Sequence, residues 1–153
     1  MKKEKKGFTL IELLVVIAII GLLATLSVVA LNNARERARD SRRVSDIKQI
    51  QTALEMYFNE KNEYPATDSI TTGDAIDGFK ILGGSIGEYM NPIPTAPEPA
   101  DGNCTDTAST GTNHYRYKRG TSVDEYELTF CLGNAVGDLG PDVVTATHMT
   151  ISE

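Results

Sequence analysis

A single carboxylate, Glu12, interrupts an otherwise apolar stretch that runs from Phe8 to Leu31. An ionisable group inside a segment suited to a bilayer is costly and usually functional. Glu12 therefore calls for a cationic partner, or for a route by which its carboxylate snorkels to the headgroups. Two further groups lie far along the chain. Cys104 and Cys131 are the only cysteines, and no Cys-x-x-Cys is present. Widely spaced cysteines in an exported domain read as one disulfide. Asp138 and Asp142 fall in the turn-rich run GNAVGDLGPD. Two carboxylates with backbone carbonyls could hold calcium there, or the run could be a plain hairpin loop. Tyr115-Arg116-Tyr117-Lys118-Arg119 mixes aromatic and basic residues, as proteins that stack bases and neutralise phosphates do. Tyrosines facing a core beside solvated basic residues would give the same pattern. No Gly-x-Ser-x-Gly, Walker loop, His-Glu-x-x-His or zinc-ligand spacing occurs, so the sequence points to a structural protein rather than an enzyme.

These groups need elements to position them. Phe8–Leu31 spans 24 residues, 16 of them Phe, Leu, Ile or Val. As a helix it would be ~36 Å long, enough for a ~30 Å hydrocarbon core. It is too long for a signal-peptide apolar region and lacks a small-x-small cleavage site. No proline occurs between Met1 and Tyr64. Val44, Ile47, Ile50, Leu54, Tyr57 and Phe58 recur at helical spacing, which predicts one amphipathic stripe on a continuation of the same helix. The expected helix runs from about Phe8 to about Asn59, with Gly21 the one place for a break and Glu63-Tyr64-Pro65 beyond its end. Residues 66–112 are rich in Gly, Pro, Asp and Thr, with a short helix expected at Asp74–Leu82. Three strand candidates follow, at His114–Lys118, Glu125–Leu132 and Asp142–Ile151, and read as an antiparallel meander. Its apolar face could cover the helical stripe. Cys131 alternates away from Phe130 and could tie Cys104 to the opposite side. The fold class is α+β, a long N-terminal helix with a C-terminal antiparallel sheet packed on its second half.

Charge is unevenly placed. Met1–Gly7 holds four Lys and one Glu, whereas residues 62–153 hold four basic and fourteen acidic residues. An acidic distal half argues against general nucleic-acid binding.

Lys5-Lys6-Gly7-Phe8-Thr9-Leu10-Ile11-Glu12, followed by the apolar run, resembles the N-terminus of the type IV pilin superfamily. That superfamily includes pilus subunits, competence pilins and type II secretion pseudopilins. The resemblance implies a cytoplasmic leader of residues 1–7, a membrane and filament-core helix at 8–31, an amphipathic continuation at 32–61 and an extracytoplasmic domain at 62–153. It implies that a prepilin peptidase cuts between Gly7 and Phe8 and N-methylates Phe8. It further implies that subunits pack with copies of themselves and with related pilins, on an inner-membrane assembly platform. A new α-amino group on Phe8 would be cationic below ~7.7–8, which supplies Glu12 with a counter-ion on a neighbouring subunit. Removing one partner of such a buried pair costs ~3–5 kcal/mol, so the pair would act as a register mark between apolar helices. The resemblance favours a surface pilus subunit, with a secretion pseudopilin or a DNA-uptake pilin as alternatives. Major secretion pseudopilins of the superfamily bind calcium in a C-terminal loop, with a fuller acidic cluster than Asp138 and Asp142 provide.

Arg35, Arg37, Arg39, Arg42 and Arg43 follow the apolar run, interleaved with Glu36, Asp40 and Asp46. Basic residues flanking both ends leave orientation undecided by charge alone. The cleavage motif places the N-terminus inside, and the expected disulfide places the distal half outside. The subunit would thus be a single-pass protein of the cytoplasmic membrane before it enters an extracellular filament. The arginines read either as a solvated helix face or as bridges to acidic groups of neighbouring subunits.

Overall fold

A computed structural model describes residues 7–66, 88–105, 114–148 and 150–152. The expected helix at Asp74–Leu82 lies outside the described residues. The chain divides into two compact units, Met1–Arg35 and Glu36–Glu153.

One helix, α1 (Leu10–Lys61), contributes to both. In the first unit every described side chain is exposed, including the large apolar ones from Phe8 to Leu31. The helix is long and apolar enough to cross a membrane. Its few hydroxyls find backbone acceptors within the helix. Thr25 Oγ1 donates to the Leu22 carbonyl at 2.8 Å and Ser27 Oγ to the Leu23 carbonyl at 2.8 Å. Such internal bonding is what a segment without water around it requires. Gly21 does not interrupt the helix.

In the second unit, α1 packs against a four-stranded antiparallel sheet of order β1-β2-β3-β4. The strands are β1 (Arg116–Arg119), β2 (Tyr126–Leu132), β3 (Asp142–Ala146) and β4 (Ile151–Ser152). The predicted stripe forms the core. Ile47, Ile50 and Leu54 are fully buried, and Val44, Tyr57 and Phe58 pack at its margin. The alternating residues Tyr126, Leu128, Phe130 and Leu132 meet them from β2, with Val144 and Ala146 from β3. Each fully buried aliphatic or aromatic side chain is worth ~1.5–3 kcal/mol. Register pairs Phe130 with Val144 and Tyr117 with Leu128, so the middle of one sheet face is apolar, with Arg119 and Asp142 at its ends.

The helix begins at Leu10 and the first strand at Arg116, each two residues later than expected, and two further differences have a local cause. The helix runs on to Lys61 and stops at Asn62, which takes a left-handed φ of 56° while its N–H donates to the Phe58 carbonyl at 2.7 Å. Asn tolerates that conformation and caps the helix. The candidate strand Asp142–Ile151 is two strands, because a turn intervenes. Thr147 N donates to the Thr150 carbonyl at 2.7 Å, and Thr150 N donates to Thr147 Oγ1 at 3.2 Å. The turn uses threonine hydroxyls instead of Gly or Pro, which hides it in a Val- and Thr-rich run.

Candidate processing and assembly sites

At the N-terminus, Thr9 and Glu12 bracket the first turn of α1. Glu12 Oε2 accepts from the Thr9 backbone N–H at 2.9 Å and from Thr9 Oγ1 at 2.6 Å. The Glu12 N–H donates back to Thr9 Oγ1 at 3.3 Å. This is a capping box, in which two otherwise orphaned helix donors are satisfied reciprocally. Its sequence mark, Thr-x-x-Glu ahead of an apolar run, was present in Thr9-Leu10-Ile11-Glu12 but was not read. Glu12 therefore has a local partner as well as any it meets on another subunit. Both of these contacts use Oε2, and the second oxygen has no partner among the described residues. Gly7 and Phe8 precede the helix in exposed, non-helical backbone.

In the second unit a cluster of charged side chains is buried where α1 meets two loops. Arg43 is 1 % exposed and Asp40 fully buried. The Arg43 guanidinium donates to Asp40 Oδ1 at 2.6 Å and to Asp101 Oδ2 at 3.0 Å. Its other amino group reaches the Pro97 carbonyl at 3.0 Å. Arg39 grips Asp101 through both carboxylate oxygens, with Nε to Oδ2 at 2.7 Å. Asp40 in turn accepts from the backbone N–H groups of Gly133 at 3.0 Å and Asn134 at 2.9 Å. Helix residues one turn apart thus hold both the 97–101 segment and the start of the β2–β3 loop. Burial alone would raise the Asp101 carboxyl, but hydrogen bonds from Arg39 and Arg43 outweigh it and hold it below its ordinary range.

The disulfide joins the same two segments. Cys104 and Cys131 are bonded, with Cα atoms 5.8 Å apart. Cys131 lies on the sheet face opposite Phe130 yet is buried, because the Asp101–Cys104 turn folds over it. Gly102 and Gly133 meet backbone to backbone there, and a Cβ on Gly133 would lie 2.6 Å from the Asp101 carbonyl carbon.

This arrangement changes the reading of the arginines. They are not one solvated face. Arg39 and Arg43 turn inward and pair with acids of the same chain, whereas Arg35, Arg37 and Arg42 stay exposed. Asp40, Asp101 and Arg43 were missed as a set. The available signal was that Asp40 and Arg43 extend the Ile47-Ile50-Leu54 stripe toward the N-terminus at spacings of three and four.

The basic-aromatic run also resolves. Tyr115 and Tyr117 are buried, with Tyr115 Oη donating to Asp46 Oδ2 at 2.9 Å and Tyr117 Oη to the Pro65 carbonyl at 2.8 Å. Burial first, then the Asp46 carboxylate, push the Tyr115 hydroxyl well above the usual tyrosine range. Neither ring is presented for stacking on a base. Asp138 and Asp142 are exposed, and Asp142 Oδ1 accepts from the Val143 N–H at 2.9 Å. Among the described residues, no three His, Cys, Asp or Glu side chains are grouped as a metal site would need.

Residues 2–28 match the family model described as the prokaryotic N-terminal methylation motif. The chain is 45 % identical over 67 residues to type II secretion system core protein G of Aeromonas hydrophila, covering 44 % of this chain and 47 % of that protein. It is 45 % identical over 65 residues to the protein of the same name from Escherichia coli (strain K12), covering 42 % and 45 %. With that of Pseudomonas aeruginosa it shares 39 % over 66 residues, covering 43 % and 46 %. The chain thus spans about half the length of the curated relatives it matches. No solved structure matches it. These relatives favour the secretion alternative over the surface-pilus reading. The N-terminal methylation motif and the similarity to core protein G support the resemblance to the type IV pilin and type II secretion pseudopilin superfamily, and the long apolar helix with a distal antiparallel sheet agrees with it.

Proposed function

We propose that this chain is a structural, non-catalytic subunit of a helical filament, a pseudopilin of a type II secretion system. The observation that carries the choice is the 45 % identity to core protein G, set beside the prepilin motif at residues 2–28. In this reading the N-terminus faces the cytoplasm, and a prepilin peptidase cuts between Gly7 and Phe8 and methylates the new amine. The subunit then waits in the membrane on α1 and leaves it as filament grows. The apolar side chains exposed from Phe8 to Leu31 meet lipid first and other subunits afterwards. Left uncovered in water they would form a far larger apolar patch than a soluble protein tolerates.

Glu12 has a double task in this account. Through Oε2 it caps its own helix. Its remaining oxygen offers the charge that draws the Phe8 ammonium of a neighbour. Apolar helices sliding along one another have few polar landmarks, so one such pair fixes how far an incoming subunit inserts. Related pilins and an inner-membrane platform are the expected partners.

The test is expression of the intact chain in a host with a prepilin peptidase and a secretion platform. Sheared filaments that contain it, N-terminal sequencing that begins at methylated Phe8, and loss of substrate export on deletion are the expected results. A chain that keeps residues 1–7 and remains a lone membrane protein would overturn the reading. Surface filaments with unchanged export would return it to a type IV pilus.

A further inference from the structure

The buried clasp sorts charge by helix face. Between Arg37 and Thr52 the carboxylates Asp40 and Asp46 point inward and are buried. Every exposed charged side chain in that stretch is cationic, namely Arg37, Arg42 and Lys48. Arg37 and Lys48 are eleven residues apart, about three turns, and so lie on one face. Between them run Ser41 and Ser45, also exposed and too short to cover the cations. Arg42 is 64 % exposed and only loosely paired, at 3.7 Å from Asp46. Neither Arg37 nor Lys48 has a side-chain partner among the described residues. A basic helical face is thus displayed by a chain of net charge −6.

The complementary charge is on the same unit. Residues 133–142 contain Asp138 and Asp142 and no Lys, Arg or His. Asp138 stands at the tip of a tight turn closed by Val136 N to the Leu139 carbonyl at 2.9 Å and Leu139 N to the Val136 carbonyl at 3.2 Å. The root of this loop is fixed by Asp40 through Gly133 and Asn134. Its acid is therefore presented on a braced support, with no cation in the loop to neutralise it.

We propose that the Arg37–Lys48 face of one copy docks on the Asp138 loop of a second copy. A basic face cannot pair with itself, so the contact joins two different surfaces. Contacts of that kind do not close into a two-fold dimer; repeated, they build rings or open helical filaments. The inference rests on the filament reading above, and gives it a second, solvent-exposed contact beyond the apolar helices.

The test uses the full-length chain in an assembling host, with filament yield measured by electron microscopy of sheared material. The variants are R37E/K48E, D138K and the three changes together. None removes an intramolecular contact seen here, and membrane level with protease resistance of the distal unit checks folding. Each reversal is expected to lower yield by about tenfold or more, and the combination to restore it, because like charges repel and swapped charges attract. Wild-type yield should also fall as salt screens the pair. Normal yields from the reversals, or no recovery in the combination, would overturn the proposal. Loss with R37E/K48E but not with D138K would overturn it in favour of an anionic lipid surface as the partner. Absence of filaments from the wild type would instead sink the filament reading itself.

Discussion

Arg43 sits between Asp40 and Asp101, 2.6 Å from one carboxylate and 3.0 Å from the other. The first lies one helical turn away and the second 58 residues on. This cation therefore ties the helix to the 97–101 segment.

Replacing Arg43 by Ala leaves the fully buried Asp40 without its cation, while Asp101 keeps Arg39. Breaking a buried pair by removing one partner costs ~3–5 kcal/mol. We expect R43A to lower unfolding free energy by about that amount in chemical denaturation. R42A, which removes only an exposed pair at 3.7 Å, should cost under about 1 kcal/mol. Similar losses from the two variants would show that the cluster is not the clasp described.

Acid should loosen the same region. The Asp101 pKa is lowered in the folded chain despite its burial. The unfolded chain then binds this proton more readily than the folded one. Stability from Asp101 is present in full above the unfolded pKa of ~3.9 and is lost as pH falls through the folded value. Wild-type stability should decline as pH drops below ~4, and D101N should flatten that decline. Stability measured across this range checks it. An unchanged slope in D101N would assign the acid sensitivity elsewhere.

Gly133 gives a steric prediction. A Cβ there would stand 2.6 Å from the Asp101 carbonyl carbon and 2.8 Å from its oxygen. Those are backbone atoms, held on one side by Arg39 and Arg43 and on the other by the disulfide at Cys104. G133A should cost about 1–3 kcal/mol, the range for overpacking. It should also slow recovery of the Cys104–Cys131 bond after reduction, read by thiol titration. A variant as stable as wild type would show that the two segments can part without loss.

At the N-terminus, two substitutions separate capping from charge. Thr9→Ala breaks the capping box and should cost roughly 1 kcal/mol in the first turn, with filament yield little changed. Glu12→Gln keeps a side chain that serves in a capping box but removes the charge. It should insert into membranes normally and assemble poorly. Normal filaments from Glu12→Gln would rule out the register role.

What could be read from the chain was what depends on local order. The breaker-free apolar run, the Ile47-Ile50-Leu54 stripe and the alternation of Tyr126, Leu128, Phe130 and Leu132 each express one element's periodicity, and each element formed as expected. The cysteine pair followed from number and context, and the bond is present. The helix cap at Thr9 was legible but unread.

The inward turn of Asp40, Arg39 and Arg43 was decided elsewhere. Along the sequence these residues look like their neighbours Arg37 and Arg42, because a charge reads as solvent-facing whatever its position on the stripe. Only the return of Asp101 and of Gly133-Asn134 to that face supplies enough hydrogen bonds to offset desolvation. The sequence determined that a long helix would carry a sheet. The tertiary structure decided which of its charges are buried to hold the 97–101 segment and the Gly133-Asn134 turn and which stay exposed, since burying an ion is favourable only where distant parts of the chain converge to satisfy it.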